Sequence, residues 1–199
     1  MNDLRLLDGV REGSTPLEER LILTARALVE RGLVVGSVGN VSVRVPAGFL
    51  VTPTRMPYPE MRPEHLVYLE LDGAETGSPM TPSREWPLHS AIYRTRPDVA
   101  AIVHTHSVHA TAWSFLEEPL GSRLEESSYY DIGPLRTSAP APAGSQELGA
   151  AALRALGDSR AALLGRHGVV ATGSTLDEAL TVAEVVEREA HVAWLLRGA

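Results

Sequence analysis

The chain has 199 residues, 44% of them hydrophobic and 22% charged, with a net charge of −7 and no cysteine. That length suits one domain with a substantial core, and the acidic balance argues against a nucleic-acid partner, which needs a basic face. The missing cysteine excludes disulfides, thiolate metal sites and cysteine nucleophiles; all 18 basic residues are arginine, so imine catalysis on a lysine amine is excluded as well.

Residues 1–14 read as a flexible polar lead ahead of a single domain over 15–199. The first residues, Met1-Asn2-Asp3-Leu4-Arg5-Leu6-Leu7, lack the apolar stretch of a secretory signal, and no run is long enough to span a membrane. A cytoplasmic protein is expected. Thr15-Pro16-Leu17-Glu18 predicts a capped helix start, with apolar positions at Leu21, Ala25, Leu28 and Val29 and a stop at Gly32. Val41 to Val45, a turn at Pro46-Ala47-Gly48 and Phe49-Leu50-Val51 predict a β-hairpin. Leu66 to Leu71 is a further strand before an Asp72-Gly73 turn.

Ser83 is positioned to cap a helix carrying Glu85, Leu88, Ala91 and Ile92, which ends at Arg96-Pro97-Asp98. Ala100 to His106 is a buried-type strand, with a short helix from about His109 to Phe115. Leu135 to Ser138 predicts a strand, Gln146 to Leu156 a helix, and Ala161 to Leu164 another strand. His167-Gly168 interrupts the apolar run, which resumes at Val169-Val170-Ala171. Thr175-Leu176-Asp177-Glu178 is a second capping box, opening a long amphipathic helix. The order of helices and strands suits a layered α/β domain.

Strand side chains alternate faces, so His104 and His106 point the same way and can converge on one ion. A catalytic metal site takes three protein ligands and keeps a position open; His65, His89, His109, His167 and His191 are all open as the third. His167 leads because it interrupts a buried strand beside Gly168, where backbone can turn or approach closely. Glu85 near a helix N-terminus is a helix-dipole carboxylate or, with His89 one turn further on the same face, a carboxylate with its hydrogen-bonded partner. Gly36-Ser37-Val38-Gly39-Asn40-Val41-Ser42 has the small and hydroxyl residues of an anion-binding loop, residues that ordinary turns also use.

Taken in order, Gly39-Asn40-Val41-Ser42-Val43-Arg44, Thr52-Pro53-Thr54, Pro82-Ser83-Arg84-Glu85-Trp86, the stretch from Ile102 to Ala112 and His167-Gly168 resemble the class II aldolase/adducin family. The resemblance covers about residues 17 to 197. It implies a single layered α/β domain, a central, mainly antiparallel sheet flanked by helices, and a homotetramer with sites between subunits. It implies one divalent metal ion on His104, His106 and His167, zinc first, with manganese, cobalt or iron as substitutes, and Glu85 as the catalytic acid/base. It puts Ser37, Gly39, Asn40, Thr54 and Ser83 at a substrate-phosphate pocket. Arg55 and Arg84 stand where typical aldolases have glycine and serine, and as guanidinium forks they suit a phosphate or a carboxylate.

The implied reaction is aldol cleavage of a short ketose phosphate through a metal-stabilised enediolate. Dehydratase, decarboxylase and 4-epimerase reactions on a sugar phosphate or sugar acid are the alternatives inside the family; its epimerases place an aspartate where Glu85 stands. A non-catalytic, adducin-like interaction protein is the alternative of another class. No nucleic acid or membrane partner is expected.

Overall fold

The protein is described by a computed structural model over residues 15–74, 77–116 and 118–197; the expected lead at 1–14 lies outside these. Helix α1 (Leu17–Glu30) starts one residue later than a Thr15 cap requires. Pro16 takes the boundary position and its carbonyl accepts the first helical N–H, from Arg20. The stop at Gly32 is as expected: left-handed backbone at φ 69° lets the Gly32 and Leu33 amides close back on Val29 and Leu28.

Six strands form one sheet. β1 (Asn40–Val45) and β2 (Gly48–Val51) are the predicted hairpin, and β3 (Val67–Glu70) pairs with the outer side of β2. β4 (Ala101–Thr105) pairs with the other side of β1. β6 (Gly168–Gly173) follows β4 in the sheet, and β5 (Ala161–Leu164) closes that edge. The order is β3-β2-β1-β4-β6-β5 with every pair antiparallel. The break at His167 is therefore the tight turn of a β5–β6 hairpin.

Alternation divides the core in two. Val41, Val43, Val45, Ala101, Val103, Leu163 and Val169 face α1 and the long helix α6 (Leu176–Arg197). Phe49, Val51, Val67, Ile102, Leu164 and Val170 face α2 (Trp86–Thr95) and α5 (Gln146–Leu156). Helices on both faces of one sheet give the expected layered α/β domain. On the α2 face, β1 departs from its neighbours: Asn40 and Ser42, both buried, stand where apolar residues would pack.

Three local expectations are corrected. Ser83 does not cap α2; its amide is tied to Thr52 O across the Pro53–Pro82 bridge, so the helix starts only after Glu85. Leu135 to Ser138 is not a strand, because its ends pair with different partners, Leu135 with Leu120 and Thr137 with Leu163. In the second capping box Thr175 accepts from the Glu178 amide as expected, but the Glu178 carboxylate reaches Ser174 instead of Thr175. After α3 (Val108–Trp113), a short helix that the sequence did not reveal, α4 (Glu125–Tyr129), packs against α6.

Candidate metal centre

Four elements meet at the end of β4. His104 is in the strand and His106 just beyond it, on the α2 face as alternation requires; Glu85 takes the N-cap position of α2, and His167 occupies the β5–β6 turn. Two glycines let the backbone close in around them. A Cβ on Gly39, whose φ is 94°, would lie 2.7 Å from the His104 carbonyl, and one on Gly168 would lie 2.3 Å from that of Thr105. The close approach expected at Gly168 is real.

The donor atoms of Glu85, His104, His106 and His167 all lie within 4.8 Å of one another. His104 Nε2 is 2.9 Å from His106 Nε2 and 3.0 Å from Glu85 Oε2, and His167 Nε2 is 3.2 Å from Glu85 Oε1. The three rings are mutually edge-on, with centroids 4.8 to 4.9 Å apart. Donors about 2.0–2.1 Å from a tetrahedral ion are themselves separated by roughly 3.3 Å, so these spacings suit one small divalent cation. Tautomer and burial agree. His104 Nδ1 is 2.7 Å from the Val169 carbonyl, which can only accept, so a neutral His104 aims its Nε2 lone pair into the cluster. Glu85 Oε1 is buried without a hydrogen-bond partner, an acceptor left open to an ion or to a substrate proton.

Electrostatics tie the four together. Burial alone would push the Glu85 carboxyl up, but His104 and then His167 outweigh it and hold it well below the ordinary carboxylate range. Burial opposes charge on His104 too, yet the adjacent Glu85 raises its pKa. His106 is pushed down to about 3, first by burial and then by its two imidazole neighbours. Four groups competing over protons at this distance are a site where a cation can stand in for those protons.

Beneath Glu85 lies a polar network that sequence reasoning missed. Asn40 Nδ2 donates to Glu85 Oε2 at 3.0 Å, and Asn40 Oδ1 is 2.5 Å from His89 Nε2. His89 Nδ1 is 2.6 Å from Ser42 Oγ, which is 2.8 Å from the Tyr93 hydroxyl. Burial, then the nearby His104, lowers the His89 pKa to about 3, so the ring is neutral. The same-face pairing of Glu85 and His89 is thus bridged by Asn40. The available signal was polar Asn40, Ser42 and Arg44 recurring at period two in a strand otherwise made of valines.

The expected substrate residues are brought together unequally. Thr54 and Ser83 sit on two segments joined by the Pro53–Pro82 bridge and by Thr54 N–H to Thr81 O, beside Glu85 in sequence. Gly39 begins the approach to β1, its carbonyl accepting from the Tyr58 hydroxyl at 2.7 Å, and Ser37 is half-buried in the loop before it. Asn40 is buried with both ends of its amide engaged. Arg84 lines a cleft of about 540 Å³ with His106, His167 and an arginine that the sequence did not single out, Arg166. Arg55 is exposed, in left-handed backbone at φ 59°, and is not part of that cleft lining. Glycine suits that conformation best.

The sequence matches the Class II Aldolase and Adducin N-terminal domain over residues 19–194. The chain belongs to the class II aldolase/adducin family. It is 36% identical over 171 residues to the L-fuculose phosphate aldolase of Haemophilus influenzae, covering 86% of this chain and 79% of that protein. It is 37% identical over 178 residues to a 5-methylthioribulose-1-phosphate/5-deoxyribulose-1-phosphate aldolase of Rhodospirillum rubrum, covering 89% and 80%. A solved L-fuculose 1-phosphate aldolase superposes with a TM-score of 0.85 at 31% identity, covering 94% of this chain and 88% of that one. These relatives are aldolases of the family's enzymatic branch, and they lend no support to the adducin-like alternative. Among the described residues no helix is long and apolar enough to cross a membrane.

Proposed function

We propose that this protein is a divalent-metal lyase that cleaves a ketose 1-phosphate between C3 and C4, giving glycerone phosphate and an aldehyde. The observation that carries this reading is the convergence of three histidines and Glu85 within 4.8 Å at the end of β4. The names of the relatives, all aldolases of ketose phosphates, support the substrate class.

His104, His106 and His167 are assigned as ligands, zinc first, with manganese, cobalt or iron as substitutes, since imidazole suits several divalent metals. A bound divalent ion supplies Lewis-acid stabilisation of the enediolate that the broken bond leaves behind. The remaining steps belong to the chain. In the cleavage direction the C4 hydroxyl gives its proton to solvent, from which Glu85 is reprotonated, C4 becomes the aldehyde carbon, and the C3–C4 electron pair passes to the enediolate. Glu85 returns a proton to C3, using Oε1, the oxygen that Asn40 leaves free. Ser37, Gly39, Thr54, Ser83 and the backbone of Asn40 make up the phosphate pocket, and Arg55 and Arg84 extend its positive rim; Arg84 shares the cleft with His106 and His167. The assembly is a cytoplasmic homotetramer with sites between subunits, so its mass in solution should be four times 21.4 kDa.

The test is a panel of ketose 1-phosphates and sugar acids, with glycerone phosphate followed through coupled reduction. Cleavage of a ketose 1-phosphate that a chelator abolishes and divalent metal restores is the expected result. Turnover of a sugar acid alone would move the chain to the family's decarboxylase or dehydratase reactions.

A further inference from the structure

The chain of polar groups behind Glu85 has a direction, and the direction follows from which atoms can donate. A carboxylate can only accept, so the Asn40 atom facing Glu85 Oε2 is the amide nitrogen, and the atom facing His89 is the amide oxygen. That oxygen must receive the proton on His89 Nε2, which leaves Nδ1 as the acceptor in a neutral ring. Ser42 therefore donates to Nδ1, and Tyr93 donates to Ser42. Every donor points towards the metal centre: Tyr93 to Ser42 to His89 to Asn40 to Glu85. The four donor side chains are buried, none more than 2% exposed.

A buried row of polar side chains is costly wherever it is incomplete, and an apolar set of the same shape would serve packing as well. This row is complete at every link and ends on one atom, Glu85 Oε2. The other oxygen, Oε1, is left without a hydrogen bond, facing His167. The row thus fixes the rotation of the carboxylate plane and decides which oxygen is free.

We propose that His89 is a positioning residue for Glu85, acting through Asn40 and held in its tautomer by Ser42 and Tyr93. The role is orientation, not proton transport, because the Asn40 amide interrupts any proton path. The inference rests on the reading of Glu85 as the acid/base, so its test is run beside Glu85→Gln.

The experiment compares metal-loaded wild type, His89→Leu and His89→Gln, with C3 proton exchange of glycerone phosphate in deuterated water as the probe and metal content and melting temperature measured alongside. Leucine removes both links; glutamine keeps one donor and one acceptor. His89→Leu is expected to slow exchange by about 10- to 100-fold, the range for losing a supporting hydrogen-bond partner, with one metal per subunit and KM within about 3-fold of wild type. His89→Gln is expected to recover most of the rate.

Equal rates in the leucine and glutamine variants, or a change confined to KM, would overturn the proposal. If His89→Leu does not fold, Tyr93→Phe cuts the row at its far end, and wild-type exchange in that variant overturns the proposal equally. Wild-type exchange in Glu85→Gln removes the acid/base reading itself, whereas slow Glu85→Gln beside normal His89→Leu removes only the role of His89.

Discussion

Among the described residues two clusters combine histidines with a glutamate, and one of them has the form of a metal site. At the end of β4 the imidazoles of His104, His106 and His167 stand edge-on with their Nε2 atoms turned towards each other and towards Glu85. Between α3 and α6, His109 and His191 are stacked face to face, with centroids 4.0 Å apart and planes inclined by 11°. The Glu187 carboxylate beside them is fully engaged, accepting from the backbone amides of His109 and Ala110 and lying 2.7 Å from His109 Nδ1. It caps α3. Composition is therefore a poor guide to ligation. What separates the clusters is the scaffold: a strand end and a hairpin turn aim side chains inward at one point, whereas two helices lay theirs side by side.

The most direct way to break this contrast is to delete each pair of histidines. The double variant His104→Ala/His106→Ala should lose its metal and with it at least about 10³-fold in cleavage rate, the scale on which metal-assisted catalysis operates. The double variant His109→Ala/His191→Ala should keep a full metal complement by elemental analysis. Normal metal content in the first pair, or loss in the second, would reverse the assignment.

Within the first cluster, Glu85→Gln separates the acid/base from the ligands. Metal should be retained while C3 proton exchange falls by about 10²- to 10⁴-fold, the usual contribution of a positioned acid/base. Unchanged exchange would leave Glu85 as a helix-start carboxylate only.

Much of this is legible in the sequence alone. His104 and His106 share a face because of strand alternation, and Gly168 beside His167 signalled a close approach that the distance to Thr105 O bears out. The hairpin of β1 and β2 and the helix α5 also lie where turn chemistry and periodicity put them. What stayed hidden depends on contacts between segments far apart in sequence. Nothing local says that the first turn of α2 meets the end of β4, which is why Glu85 needed the family resemblance. The Val169 carbonyl that sets the His104 tautomer is a backbone atom with no sequence signature. Helix α4 was missed for the same reason: it is five residues long, and the buried Glu189 of α6 organises it by accepting from the Arg123 and Leu124 amides and Ser127 Oγ.

The second cluster has its own expected signature, in stability instead of chemistry. Glu187→Ala removes the acceptor for two amides at the start of α3, a loss of about 1–2 kcal/mol by analogy with other helix caps. For a chain of this length that lowers the melting temperature by roughly 3–6 °C. Metal content and turnover should be unchanged. A loss of metal in this variant would show that the two clusters are coupled through α6.

The last expected effect is a slope. His89 is buried and neutral with its pKa pushed down to about 3, whereas in the unfolded chain an imidazole titrates near ~6.5. Between those values the unfolded state binds one proton more than the folded state, so stability rises with pH across that window. The contribution is fully present above the unfolded pKa and is lost progressively as pH falls towards about 3. His89→Gln has no such proton to take up. Denaturation of both proteins at pH 7, 6, 5 and 4, with chelator present throughout so that metal release cancels, should therefore show a shallower acid dependence in the variant. The difference can reach about 1.4 kcal/mol per pH unit, the value of one proton. The stack of His109 and His191 is present in both proteins and cancels in the comparison. Parallel curves would mean that His89 is not held neutral in the fold, and the one-way order of donors behind Glu85 would then have lost its fixed tautomer.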